Sequence, residues 1–121
     1  MTRITDLETF DLRFPTSDSL DGSDAMNPDP DYSAAYVILK TDSEHEGHGL
    51  TFTIGRGNDI CVAAISAMKH LLVALNLIGY ERIWVDSGVI LLGDSQLRWD
   101  WARQRGYASC YWCRVNAVWD F

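Results

Sequence analysis

At 121 residues, 47% of them hydrophobic, the chain is long enough to bury one core and too short for two. A formal charge of -7 and a pI near 4.7 disfavour nucleic acid and anionic membrane surfaces as partners, because both select a basic face. No window approaches the ~18 consecutive apolar residues of a membrane span. The opening MTRITDLETFD is too polar and acidic for a secretory signal or a transit peptide, so the expected location is cytoplasmic.

Ile4, Phe10, Leu12 and Phe14 recur at even spacing, the period of a strand with one buried face, and Pro15 ends that strand. The following TSDSLDGSDAMNPDPDYS holds Gly22, Pro28, Pro30 and five aspartates without periodicity, and reads as one long loop, of a length that is usually functional or disordered. AAYVILKT at 34–41 is rich in β-formers, TDSEHEGHG reads as a turn, and LTFTI at 50–54 alternates again. These strands make a three-stranded antiparallel meander. GRG at 55–57 then leads into a helix over 59–75. Asn58 or Asp59 is its N-cap candidate, and Cys61, Ala64, Ile65, Met68, Leu71, Leu72 and Leu75 fall at helical spacing. The fold class is α+β, a meander followed by helices in a single domain over residues 1–121.

Cys110, Tyr111, Trp112 and Cys113 form a CxxC pair, which invites a redox or zinc reading. A redox CxxC needs a helix starting at its first cysteine to lower that thiol's pKa, and no such context is evident. Zinc needs a second ligand pair, yet Cys61 is the only other thiol and His45, His48 and His70 supply none. His45 and His48, flanked by Glu44 and Glu46, read as solvated turn residues. GRG lacks the third glycine of a dinucleotide fingerprint. It is either a tight strand-to-helix turn or, with Arg56 beside a helix N-terminus, a place for an anion such as a carboxylate. The aspartates between 18 and 31 lack the spacing of a calcium loop and read as a solvated acidic segment.

Four stretches in order, RFPTS at 13–17, GSDAMNPDPDYSAAYVILKTD at 22–42, GHGLTFTIGRGND at 47–59 and DSQLRW at 94–99, resemble the N-terminal capping region of enolase-superfamily acid-sugar dehydratases. The group they are similar to is that of L-fuconate and fungal L-galactonate dehydratases. The likeness is close through Ile60, patchy to about residue 77, and close again at 94–99 and 115–120; residues 78–92 and 100–114 depart from it. The resemblance implies an α+β cap seated on a modified (β/α) barrel. It also implies a magnesium-dependent loss of water from a sugar acid, giving a 2-keto-3-deoxy product. In that chemistry a base removes the proton next to the carboxylate, the metal stabilises the enediolate, and the β-hydroxyl leaves.

Barrel strand ends carry the metal carboxylates and the base in this superfamily, and the chain stops at Phe121 before any of them. The resemblance therefore implies no catalytic residue, no bound magnesium and no activity for this chain alone, with a barrel domain and a sugar acid as partners only in a full-length context. A stand-alone sugar-acid or protein binding module is the alternative, and a CxxC redox or zinc protein a further one. The cap's two site-closing loops map to residues 14–33 and 52–58. Within them Ser23, Asp24, Asn27 and Tyr32 are candidates to meet sugar hydroxyls, and Arg56 an anion or the barrel. Without the barrel these loops are expected to be mobile.

After DSQLRW the family continues in the style of IGPEKGVIHLATGAVVNAVWDL, whereas this chain runs DWARQRGYASCYWCR before rejoining at VNAVWD. Back-translated with allowed codons and read from the second base, that segment gives IGPDKGVMHLATGA and the start of a valine codon. Tryptophan has a single codon, so Trp101 and Trp112 force glycine at two places where the family has glycine. CYWC is then the shifted image of a helix and not a site. Asp100, Arg103, Gln104, Arg105 and Arg114 replace apolar packing, so the tail is expected to dock loosely and expose aromatic surface. Replacing residues 100–114 with IGPDKGVMHLATGAV is expected to raise the unfolding midpoint or the solubility, read by thermal denaturation and light scattering. A repaired chain that behaves no better removes the main physical consequence of the shifted frame.

Overall fold

A computed structural model describes residues 2–73, 76–77, 95, 113, 116–118 and 120. Strands β1 (Thr2–Arg13), β2 (Ser33–Thr41) and β3 (Glu46–Thr53) pair antiparallel in sequence order, the meander that the alternating segments imply. A strand β4 (Asn76–Leu77) adds to the outer side of β1, with Thr2 against Leu77 and Arg3 against Asn76, so the sheet order is β3-β2-β1-β4. Two residues are too few to show a period, which is why the sequence did not announce this strand.

The even spacing of Ile4, Phe10, Leu12 and Phe14 does not mark one buried face. A register shift between Ile4 and Asp6 inserts an extra residue into β1 and reverses its side-chain alternation. Ile4 and Leu7 are buried as a result, while Phe10, Leu12 and Phe14 stand exposed on the opposite side. Strand β3 also starts earlier than expected, at Glu46, so Gly47 and Gly49 of the supposed turn are strand residues. Glycine is required at 49, where a Cβ would lie 2.0 Å from the carbonyl oxygen of Cys113 and 3.0 Å from Ala117 Cβ.

The expected helix over 59–75 is broken in two. Helix α1 (Asn58–Ala67) ends at Met68, whose φ of -93° and ψ of 3° interrupt the spiral, and α2 (Lys69–Leu72) gives way to extended backbone at Val73. Neither Asn58 nor Asp59 is the N-cap: that position is Gly57, held at φ 89°, and Asn58 is the first helical residue. Of the helical apolar positions, Ala64, Ile65, Met68 and Leu72 are buried and Cys61 and Leu71 pack against them. Leu75 lies outside the described residues. These side chains cover one face of the sheet at Ile4, Leu7, Ala35, Val37 and Leu39, and each fully buried aliphatic contributes about 1.5–3 kcal/mol. No described helix is long and apolar enough to cross a membrane.

Cys113, Ala117 and Val118 complete this core. Residues 78–92, 100–112 and 114 lie outside the described set, but at Cys113 the expectation of loose docking fails. Its side chain is 0% exposed, its thiol donates to Ala35 O at 3.6 Å, and its backbone sits against Gly49. The physical reason is size: a cysteine fits where an arginine or tryptophan of the same segment would not. Gly49→Ala is expected to destabilise the fold by about 1–3 kcal/mol, because a carbonyl oxygen cannot move aside as a flexible side chain does. Urea denaturation measures it, and an unchanged midpoint would show that the 113–118 segment does not press on β3.

Candidate functional site

The long β1–β2 loop and the short turn from β3 to α1 meet at one end of the sheet, and a buried amide organises their junction. Asn58, 0% exposed, accepts from Thr53 Oγ1 at 2.9 Å and donates through Nδ2 to Asp11 Oδ1 at 2.5 Å, joining the ends of β3 and β1 to the start of α1. Asp11 in turn accepts two bonds from the Arg13 guanidinium, at 2.5 and 2.9 Å, and Arg13 Nη1 donates to Gly55 O at 2.9 Å. The Arg13 fork, followed by the Asn58 amide, holds the Asp11 carboxyl below the usual carboxylate range. Gly55 at φ 113° and Gly57 at φ 89° supply the left-handed backbone that lets the chain turn between Ile54 and α1.

The acidic loop is fastened to the same junction. Asp31 N–H donates to Ile54 O at 3.2 Å, and the Asp31 backbone packs on Gly55 so closely that a Cβ there would stand 3.0 Å from Asp31 Cβ. The Asp31 carboxylate accepts from the Ser17 hydroxyl at 2.5 Å and from Ser17 N–H at 3.1 Å. Thr16 Oγ1 donates to Pro30 O and accepts from Tyr32 N–H, at 2.7 and 3.0 Å. The loop, expected to be mobile without a barrel, therefore has a base laced across its own neck. Its tip is exposed, with Leu20 60% and Met26 89% accessible.

A cleft of about 580 Å³ lies between the two loops, lined by Arg13, Asn27, Asp29, Asp31 and Arg56 among others. Of the candidate residues, it brings together Asn27 and Arg56. The Arg56 side chain is 99% exposed, with Nη2 4.0 Å from Asp29 Oδ2, a pair too solvated to fix either partner. Ser23, Asp24 and Tyr32 are not among the lining residues. Asp24 accepts from the N–H groups of Met26 and Asn27, both at 2.7 Å, which lowers its pKa, chiefly through Asn27, and closes a turn. Tyr32 donates to Gly22 O at 3.2 Å and tilts its ring on Phe52, centroids 5.6 Å apart, so it supports the loop. Sequence reasoning passed over Arg13, Ser17, Asp29, Asp31 and Asn58. The first two stand in RFPTS, and DPDY holds the two aspartates, but nothing in the motifs says which residues bond which.

The cleft offers guanidinium and amide donors beside carboxylate acceptors, a set able to bind a polyhydroxylated acid by its carboxylate and hydroxyls. Among the described residues its lining contains no imidazole and no thiol. The first turn of α1 carries the Asp59 carboxylate, which already complements the helix dipole and would repel an anion at the bare N-terminus. Magnesium does not fit here: among the described residues no cluster of three or more metal-binding side chains exists, and Asp24 and Asp31 already accept hydrogen bonds from the protein. The Cys113 thiol is buried and donates to Ala35 O, the setting of a packing residue.

No family model matches the sequence. L-galactonate dehydratase of Hypocrea jecorina is 50% identical over 117 residues, covering 97% of this chain and 26% of that protein. The crystal structure of human mitochondrial enolase superfamily member 1 matches 98% of this chain and 27% of its own, with a TM-score of 0.85 and 41% identity. This chain has the N-terminal capping fold of the enolase superfamily. A racemase from Streptomyces coelicolor A3(2) with bound magnesium shares that fold, with a TM-score of 0.74 at 17% identity over 96% of this chain and 30% of its own. The capping region described here thus spans about a quarter of the length of the curated relatives it matches.

The carboxylates of the loop base tie its integrity to pH. Asp31 is lowered from 3.8, first by the Ser17 hydroxyl, then by Ser17 N–H and by the Arg13 and Arg56 charges. A depressed folded pKa contributes stability above the unfolded value and loses it as pH falls through the folded one. Ser17→Ala is therefore expected to move the Asp31 pKa up toward 3.8 and to flatten the fall of the unfolding midpoint on the acid side. Carboxyl NMR titration reads the first effect and thermal denaturation across pH the second. An Asp31 that titrates alike with and without Ser17 would show that the clamp is absent.

Proposed function

We propose that this capping region belongs to a magnesium-dependent sugar-acid dehydratase and closes two loops, 14–33 and 52–58, over the distal end of an L-galactonate-like substrate. The 50% identity over 117 residues to L-galactonate dehydratase supports this reading most. The cleft adds chemistry that suits it, since Asn27 and Arg56 face a shared space between the two loops. In this role Arg56 supplies a cation to the substrate or to the barrel surface, Asn27 bonds hydroxyls, and closure excludes water from the reacting centre. In this reading the two loops supply closure and substrate contacts, and the magnesium and the base act from a barrel domain.

A graft tests the reading: residues 1–77 of this chain in place of the matching part of L-galactonate dehydratase. The graft is expected to turn over L-galactonate with magnesium, while the chain alone yields no 2-keto-3-deoxy acid above a no-protein control. Within the graft, Arg56→Ala or Asn27→Ala should raise KM roughly tenfold with kcat little changed, the loss of a hydrogen bond to substrate. A folded, magnesium-binding graft without turnover sinks the proposal. Stabilisation of the isolated chain by L-galactonate would instead mark a binding module.

A further inference from the structure

The charges that line the cleft between the two loops decide what kind of group it can take. Arg13 and Arg56 stand there together with Asp29 and Asp31. Arg13 is already committed: its guanidinium is bonded to Asp11, lies 4.0 Å from Asp59 and donates to Gly55 O. Arg56 Nη2 faces Asp29 Oδ2 across 4.0 Å, so this guanidinium, otherwise open to a ligand, stands beside a carboxylate. Asp31 accepts both Ser17 bonds on Oδ1, which leaves its Oδ2 without a protein hydrogen bond among the described residues. We infer that Asp29, together with Asp31, makes this cleft select the hydroxyl-bearing end of a sugar acid and reject a second carboxylate in its place. Resting on the capping role proposed above, this makes Asp29 a specificity-determining residue for the distal end of the substrate.

Hydrogen-bond chemistry and charge point the same way. An ionised carboxylate accepts hydrogen bonds and donates none, so Asp29 and the open Oδ2 of Asp31 are served by a hydroxyl and not by another carboxylate. The Ser17 hydroxyl, then Ser17 N–H, hold Asp31 below the usual carboxylate range, so it stays ionised and offers no proton of its own. A hydroxyl both donates and accepts, and therefore fits between these acceptors and the donors of Asn27 and Arg56. A second carboxylate would meet two like charges and a guanidinium already shared, and would lose its hydration as the loops close. Such a repulsive element beside an attractive one separates ligands that differ at a single group. A structural role for Asp29 is disfavoured by its setting. At 67 and 99% exposure neither Asp29 nor Arg56 is held by the pair, so the Asp29 charge is left to act on what enters the cleft.

Two acids isolate the distal group, because galactarate is L-galactonate with its terminal hydroxymethyl oxidised to a carboxylate. In the graft of residues 1–77 on L-galactonate dehydratase, kcat/KM is measured for both at one ionic strength. The parent graft is expected to favour L-galactonate. Asp29→Asn keeps the shape and removes the charge, and should raise the ratio of galactarate to L-galactonate about tenfold; Asp29→Glu should return it to the parent value. Glu44→Gln, exposed on the β2–β3 turn at the other end of the sheet, removes an equal charge at a distance and should leave the ratio unmoved. Loss of loop order would lower both rates together, so the ratio reads the charge and not the folding.

A graft that turns over L-galactonate but shows the same ratio in parent and Asp29→Asn overturns the selection by Asp29 and leaves the capping role standing. So does a parent graft that prefers galactarate, or a ratio that moves as far with Glu44→Gln. A graft that turns over neither acid removes the capping role, and the selection with it.

Discussion

One buried side-chain amide sets the geometry on which both loops depend. Asn58 has no access to water, so its carbonyl and its amino group must find partners inside the protein or cost about 1–3 kcal/mol each. Thr53 and Asp11 meet that demand from two different strands, which fixes where α1 begins relative to the sheet. The consequence spreads by contact. Asp11 orients Arg13, Arg13 holds Gly55 O, and Gly55 carries the close approach of Asp31, whose carboxylate clamps Ser17 at the start of the acidic loop. Two segments that are distant in sequence are thereby organised as one end of the molecule.

The meander was legible because β2 obeys a strict alternation: Ser33, Ala35, Val37 and Leu39 are buried and the residues between them are not. The strand β1 was legible as a strand but not in its orientation. Counting parity from Ile4 assigns Phe10 and Leu12 to the core, and only the register shift before Asp6 explains why Leu7 goes there instead. A bulge is set by pairing with a neighbour and leaves no periodic trace of its own. The candidate site shows the same division. Polar residues in the loops were visible, and so was the glycine turn, but Asp24 and Tyr32 serve their own loop while Asn27 and Arg56 reach the cleft. Composition says that a loop is polar; hydrogen-bond partners decide which polar atoms remain for a ligand.

The bulge also has an effect on the outer surface. By sending Leu7 inward it sends Phe10 and Leu12 outward, into line with Leu50 and Phe52 across Tyr36 and Ala34. Had the alternation run unbroken, Thr9 and Asp11 would share that outer face, and Asp11 would be remote from Asn58. One inserted residue thus delivers a carboxylate to the junction that organises the loops and a pair of apolar side chains to the open face. Changes there would act on both at once, so the two features are coupled by geometry although they lie on opposite sides of the sheet.

The contact at Gly49 bears on how the segment before VNAVWD is tolerated. Position 113 is a cysteine, a small side chain that packs as a hydrophobe and carries one weak donor. Its thiol proton goes to the backbone carbonyl of Ala35, while the approach to Gly49 is made by the Cys113 carbonyl oxygen. A cysteine therefore enters without a stranded donor, and the helical turn at Asn116, Ala117 and Val118 keeps its place on the sheet. An aromatic ring would meet no such allowance at this position, because the site is closed to solvent and sized for a small side chain. The docking of this turn thus rests on a residue at 113 that is small and can donate one hydrogen bond.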